Sequence, residues 1–277
     1  MKTVRLPAGD RVPAFGQGTW MMGEDAAKRQ AELATLRRGI ELGATLIDTA
    51  EMYGDGKAEE LVGRAIAGCR DDIFLVSKVY PHNASRRGAV AACERSLKRL
   101  ATDRLDLYLL HWRGSVPLEE TLDAFAKLRD AGKIRHYGVS NLDLAGMQEL
   151  SALPGGADVQ TDQVLYNLTR RGIEWDLLPW LRTREIAVMA YSPIEQGRLL
   201  RNRGLVDFAR QLGATPAQIA LAWLLRNDNV IVIPKASNPA RLEENLAALE
   251  LTLTPEQLAE IDRIFPPPRS PQALQML

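Results

Sequence analysis

The chain has 277 residues with 35 basic and 35 acidic side chains, long enough to bury a large core and without the charge excess that would mark nucleic acid or an anionic membrane as its partner. No apolar run approaches the roughly 20 residues of a bilayer span, residues 1–7 lack the apolar core of a secretion signal, and Cys69 and Cys93 lack CxxC spacing and sit in helix-like segments, which together point to a reduced, cytoplasmic protein, with a monomer as the default expectation. Three histidines (His82, His111 and His136) without an HExxH motif or Cys/His cluster argue against a metal centre.

In chain order, two short apolar segments flank Ala8-Gly9-Asp10 and read as a hairpin. A glycine-rich strand end follows at Gly16-Gln17-Gly18-Thr19-Trp20. Residues 25–43 show helical periodicity, with Gly43 as the stop. The pattern then alternates. Strands are expected at 45–47, 73–77, 106–110, 134–139, 158–161 (leading to Gln163), 187–190 and 230–233. Helices are expected at 57–67, 86–100, 118–131, 143–151, 174–183, 204–212, 216–226 and 239–248. A final helix at 255–264 ends before Pro266-Pro267-Pro268, which leaves a short tail. Apolar strands separated by helices describe a parallel sheet covered on its outer face. Eight such units without a break predict an α/β fold in one domain spanning 1–277: a (β/α)₈ TIM barrel with an N-terminal β-hairpin and an extra C-terminal helix. An open doubly wound sheet is the rival, but no GxGxxG motif follows the first strand.

In such a barrel the chemistry sits at the C-terminal strand ends. Apolar runs there end in Asp48, Lys78 and His111, and Tyr53 follows Asp48 in a loop. A free phenol is a weak acid at neutral pH. A neighbouring ammonium from Lys78, held by Asp48, favours the phenolate and is expected to lower the Tyr53 pKa. His111, neutral, would orient a substrate oxygen while Tyr53 donates a proton to it. Each of the four has an ordinary reading as a turn former, strand end, rim aromatic or core histidine, but the set forms one proton-donating site for carbonyl reduction. Trp20, Trp112 and Tyr80 are expected to wall an apolar substrate pocket. Tyr191 offers a face for stacking a nicotinamide ring, and Ser140, Asn141 and Gln163 could bond its carboxamide. At the last strand end, Lys235 precedes a helix opening at Pro239, and Arg241 and Asn245 share a face. That arrangement reads as a phosphate clamp on free helix N–H groups, beside an adenine-facing edge.

These residues resemble the aldo-keto reductase family over essentially the whole chain. The set Asp48, Tyr53, Lys78, His111 matches its catalytic tetrad, and Gly16–Trp20, Asp48–Gly54, Gly138–Asn141, Ala190–Pro193 and Ile233–Lys235 resemble its motifs. The resemblance implies NADPH bound in extended form, with NADH weaker, and transfer of the 4-pro-R hydride to an aldehyde or ketone. It implies cofactor contacts at Gly18, Thr19, Asp48, Ser140, Asn141, Gln163, Tyr191, Ser192, Pro193, Ile194, Gly197, Lys235, Ala236, Ser237, Arg241, Glu244 and Asn245. Among these, Lys235 and Arg241 match positions that hold the 2′-phosphate, and Glu244 and Asn245 match positions that contact adenine. Ala236 stands where many members carry a serine, which weakens the expected NADPH preference. The segment 194–200 is short, which suggests fast cofactor exchange, and the short tail suggests an open, broadly selective pocket. The resemblance is strongest to small bacterial members, including methylglyoxal-reducing ones, so small aldehydes and 2-oxoaldehydes are the expected substrates. The rivals are an NADPH-binding sensor or auxiliary subunit with poor turnover, and a Schiff-base aldolase using Lys78.

Overall fold

A computed structural model describes residues 1–277. The hairpin forms from β1 (Thr3–Arg5) and β2 (Arg11–Pro13), paired antiparallel. Eight parallel strands follow in sequential order: β3 (Gly16–Gly18), β4 (Leu46–Asp48), β5 (Phe74–Val79), β6 (Leu105–Leu110), β7 (Ile134–Ser140), β8 (Thr161–Leu165), β9 (Ala187–Tyr191) and β10 (Val230–Val232). The ring closes through a parallel bridge between Phe15 and Val232 and through the Gly18 amide, which donates to Pro234 O at 3.1 Å. Gly18 permits this closure, because a Cβ there would lie 2.6 Å from Ile233 O.

The helices α1 (Arg29–Glu41), α2 (Lys57–Ile66), α3 (Gly88–Leu100), α4 (Leu118–Asp130), α5 (Leu144–Ser151) and α6 (Leu177–Thr183) each follow one strand. α7 (Arg203–Gln211) and α8 (Pro216–Leu225) both lie between β9 and β10, α9 (Pro239–Leu246) follows β10, and α10 (Pro255–Ile264) is the extra C-terminal helix. Thr215 with Gln218 and Thr254 with Gln257 form capping boxes that start α8 and α10, each with proline in the first turn.

Several boundaries differ from the sequence pattern. α1 begins four residues later than expected, because Asp25 Oδ1 accepts from the Ala27 amide and makes a turn in place of a helix cap. The strand expected at 158–161 forms at Thr161–Leu165, so Gln163 lies inside the strand and not beyond its end. The helix expected at 174–183 splits into a tight turn, Gly172–Glu174, and α6. Alternation along the strands decides what enters the barrel. Ser77 faces outward to Glu59 of α2, donating at 2.6 Å, so its neighbour Lys78 points inward. Likewise, Gln163 of β8 reaches Asp48 of β4 across the interior.

Candidate active site

Tyr53 stands in a tight turn just after β4. Gly54, Asp55 and Gly56 are all left-handed, with φ of 58°, 54° and 89°. A Cβ on Gly56 would also lie 2.4 Å from Arg99 Cδ, so glycine is required there. Arg99 Nε in turn donates to Glu59 at 2.6 Å, and Glu59 is wholly buried. Glu59 therefore joins α2, α3 and β5. The tyrosine loop and the lysine strand are held as one body.

Inside the barrel, the Lys78 ammonium is fully buried and donates to Asp48 Oδ2 at 2.8 Å, Thr49 O at 2.8 Å and Tyr53 OH at 3.1 Å. All three of its N–H bonds are engaged. Burial opposes its charge, but Asp48 and Tyr53 outweigh that effect and its pKa is raised. For Tyr53 burial dominates, and the Asp48 charge acts in the same direction, so its pKa is raised although Lys78 pulls it down. This corrects the expectation of a lowered phenol pKa. Lys78 limits the rise without reversing it, and the phenol stays protonated at neutral pH. His111 is pushed down to about 2 by burial and by the Lys78 charge, so its imidazole is neutral. Its ring lies edge-on to Tyr53, with centroids 5.8 Å apart.

Tyr53 and His111 open onto a cavity of about 1040 Å³. Gly18, Thr19, Trp20, Asp48, Trp112, Ser140, Asn141, Gln163, Tyr191, Ser192, Ile194 and Gly197 line it, as do Lys235, Ser237, Arg241, Glu244 and Asn245 at the β10–α9 end. Four expected residues are off its wall. Lys78 lies behind Tyr53. Tyr80 supports Trp112 edge-on at 5.7 Å instead of walling the pocket. Pro193 and Ala236 complete the list of those outside it.

The polar floor is already organised. Tyr191 OH donates to Asn141 Oδ1 at 3.0 Å, and Asn141 Nδ2 donates to His111 O and Ser140 Oγ. Asn141 is left-handed (φ 58°), a conformation that asparagine tolerates. At the far end, neither Lys235 nor Arg241 is paired with a carboxylate. The ion pair of that helix is Arg38 with Glu243, at 2.8 Å. The free helix N–H groups expected there are mostly taken. Pro239 has none, and Asn238 accepts from the amides of Arg241 and Leu242. Anion binding at this end therefore rests on side chains.

Sequence reasoning missed Arg198 and Arg201 on the loop after β9, and Met21, Met52, Met276 and Leu277 around the mouth. The basic run from Arg198 to Arg203 was a signal for the first pair. The tail was not legible as part of the site. It packs back through Leu274 on the core and Gln275 beside Arg170, which brings Met276 and Leu277 to the cavity.

The aldo/keto reductase family model matches residues 14–265. The chain belongs to the aldo/keto reductase family. It is 53% identical over 281 residues to methylglyoxal reductase YeaE of Escherichia coli, covering 100% of this chain and 99% of that one. It is 33% identical to glyoxal reductase of Bacillus subtilis over 267 residues, covering 95% and 92% of the two chains. Among solved structures, an aldo/keto reductase from Klebsiella pneumoniae in complex with NADP and acetate superposes with a TM-score of 0.97 at 52% identity, covering 100% of this chain and 99% of that chain.

Proposed function

We propose that this aldo/keto reductase uses NADPH to reduce aldehydes and ketones to alcohols, with small aldehydes and 2-oxoaldehydes such as methylglyoxal as its leading substrates. The observation that carries this reading is Tyr53. It is a protonated phenol at the floor of a large cavity, backed by a buried ammonium whose own carboxylate partner is 2.8 Å away. The cavity suits the cofactor. Lys235 and Arg241 supply two unpaired cations for phosphate, Tyr191 presents a ring face, and Gln163 Oε1 has no partner within the protein. When bound, NADPH supplies the hydride.

The protein's residues do the rest. His111, neutral and beside Tyr53, can only hydrogen-bond a carbonyl oxygen and does not compete as the acid. Tyr53 donates its proton as negative charge grows on that oxygen. The Lys78 ammonium, 3.1 Å from the phenol, stabilises the phenolate that forms. Trp20, Trp112 and the mouth methionines give the substrate an apolar wall. The relatives named for methylglyoxal and glyoxal reduction support the substrate class. A Schiff-base role for Lys78 fits poorly, because its amine is charged, wholly buried and bonded on all three sides.

The test is Tyr53→Phe, assayed with methylglyoxal, a nitrobenzaldehyde and glyceraldehyde against NADPH and NADH. The parent should turn over NADPH in preference to NADH. The variant should lose about 10²–10⁴-fold in kcat and keep NADPH affinity. Tight NADPH binding by the parent without turnover would favour the sensor reading instead.

A further inference from the structure

Three side chains at the floor, Ser140, Asn141 and Gln163, are placed to meet an amide group, but their hydrogen-bonding capacity differs. Ser140 Oγ donates to Gln163 O at 2.8 Å and accepts from Asn141. Asn141 uses both amide hydrogens, on His111 O and Ser140 Oγ, and its oxygen accepts from Tyr191. Gln163 differs from both. Its Nε2 donates to Asp48 Oδ1 at 2.8 Å, while its Oε1 accepts from no group of the protein and the residue lines the cavity. The Asp48 carboxylate is therefore held from two sides. Lys78 takes Oδ2 and Gln163 takes Oδ1, both at 2.8 Å.

Resting on the reading of this cavity as the nicotinamide site, we propose that Gln163 is a positioning residue that couples cofactor docking to the proton donor. Its amide nitrogen orients Asp48, and through Asp48 the Lys78 ammonium behind Tyr53. Its amide oxygen receives an N–H of the cofactor carboxamide. A planar amide cannot turn one end without moving the other, so the amide that seats the cofactor also sets the direction of the Asp48 carboxylate. Asp48 Oδ1 of β4 and the Met189 sulfur of β9, 3.9 Å away, are the partners of Nε2; Lys78 of β5 sits on the other oxygen of Asp48 with Tyr53 beyond it, and His111 and Tyr191 line the same cavity. Only Asp48 lies within direct bonding distance of Nε2 as a charged partner.

Gln163→Glu tests this directly. When protonated, the introduced carboxyl can donate to Asp48 as the amide does. When ionised, it places two negative charges within bonding distance, so it ionises well above the ordinary glutamate value of about 4.3. An acid whose folded pKa is raised contributes stability at low pH that is lost as pH rises through that value. The cofactor-free variant should therefore match the parent in Tm at acid pH and fall about 5 °C or more below it as pH rises. NADPH affinity, read by quenching of protein fluorescence, should weaken over the same range, and so should kcat. In the double variant with Asp48→Asn, the like charge is gone and the pH-dependent loss of Tm should shrink. A loss that is identical in the double variant means that Asp48 is not the partner, and overturns the proposal. A Gln163→Glu protein whose Tm and NADPH affinity follow the parent at every pH also overturns it. Gln163→Met, isosteric and unable to ionise, should lower both kcat and NADPH affinity at all pH values. If it raises only the KM for NADPH, Gln163 is a carboxamide clamp without coupling. Failure of the parent to reduce any carbonyl would instead refute the functional reading, and the Tm and NADPH-affinity profiles of Gln163→Glu would still judge whether the Asp48 contact and cofactor docking are linked.

Discussion

Lys78→Met is the most informative single change at the centre of this site. The substitution keeps the length and apolar stem of the side chain but removes an ammonium 3.1 Å from Tyr53 OH. A unit charge at that distance from a forming phenolate is worth about 5 kcal/mol at an effective dielectric constant of about 20. Asp48 acts against the phenolate, so a net loss of about 3–4 kcal/mol is the working figure. That corresponds to a fall in kcat of about two to three powers of ten. The fold also suffers. Asp48, buried and left with Gln163 as its remaining partner, should cost about 3–5 kcal/mol of stability. The assays are single-turnover oxidation of NADPH with methylglyoxal, followed by nicotinamide absorbance, and urea unfolding of the cofactor-free protein. Adding Asp48→Asn removes the unpaired carboxylate and should recover much of the stability but not the rate. If Lys78→Met keeps kcat within tenfold of the parent, or if the double variant regains full rate, the assignment of Lys78 as phenolate stabiliser is refuted.

Other outcomes follow from the same geometry. His111, pushed down to about 2, should contribute no ionisation to the kcat profile between pH 5 and 8. An unfolded histidine takes a proton near pH 6.5. Its folded pKa is depressed, so its contribution to stability is present above that value and is lost as pH falls. Unfolding free energy should therefore drop by about 1.4 kcal/mol per pH unit below about 6.5 from this residue, a slope that His111→Gln should remove. Replacing Lys235 and Arg241 with alanine should reduce the NADPH-over-NADH preference in kcat/KM by about one to two powers of ten, the worth of charge-assisted bonds to one phosphate. An unchanged ratio would place the discriminating phosphate elsewhere. Gly18→Ala forces a Cβ to within 2.6 Å of Ile233 O. It should cost about 1–3 kcal/mol in urea unfolding, because both sides of that contact are backbone at the barrel's closure.

Most of the fold was legible along the chain because its signals are local. Apolar strands alternate with amphipathic helices, and proline and capping residues mark the helix starts. Where the reading slipped, a short-range bond had won at Asp25, which made a turn in place of a cap, and at β8 the strand began later, so that Gln163 sat within it. The grouping of Asp48, Tyr53, Lys78 and His111 was also legible, since each lies at or near the end of an apolar run, and the barrel brings those ends together.

Residue identity alone pointed to a tyrosine, lysine, aspartate and histidine at neighbouring strand ends, and to two cations, Lys235 and Arg241, after the last strand. Tertiary structure alone decided how they act on one another. Tyr53 is itself buried, so the loss of water outweighs the pull of the Lys78 charge and the phenol pKa rises instead of falling. The amides of Asn141 and Gln163 look alike in sequence, yet one is fully engaged and the other keeps a free oxygen. The tail reaches the cavity across the whole chain length. These are consequences of distance, burial and competition for hydrogen bonds between residues remote in sequence, and they exist only once the barrel has closed.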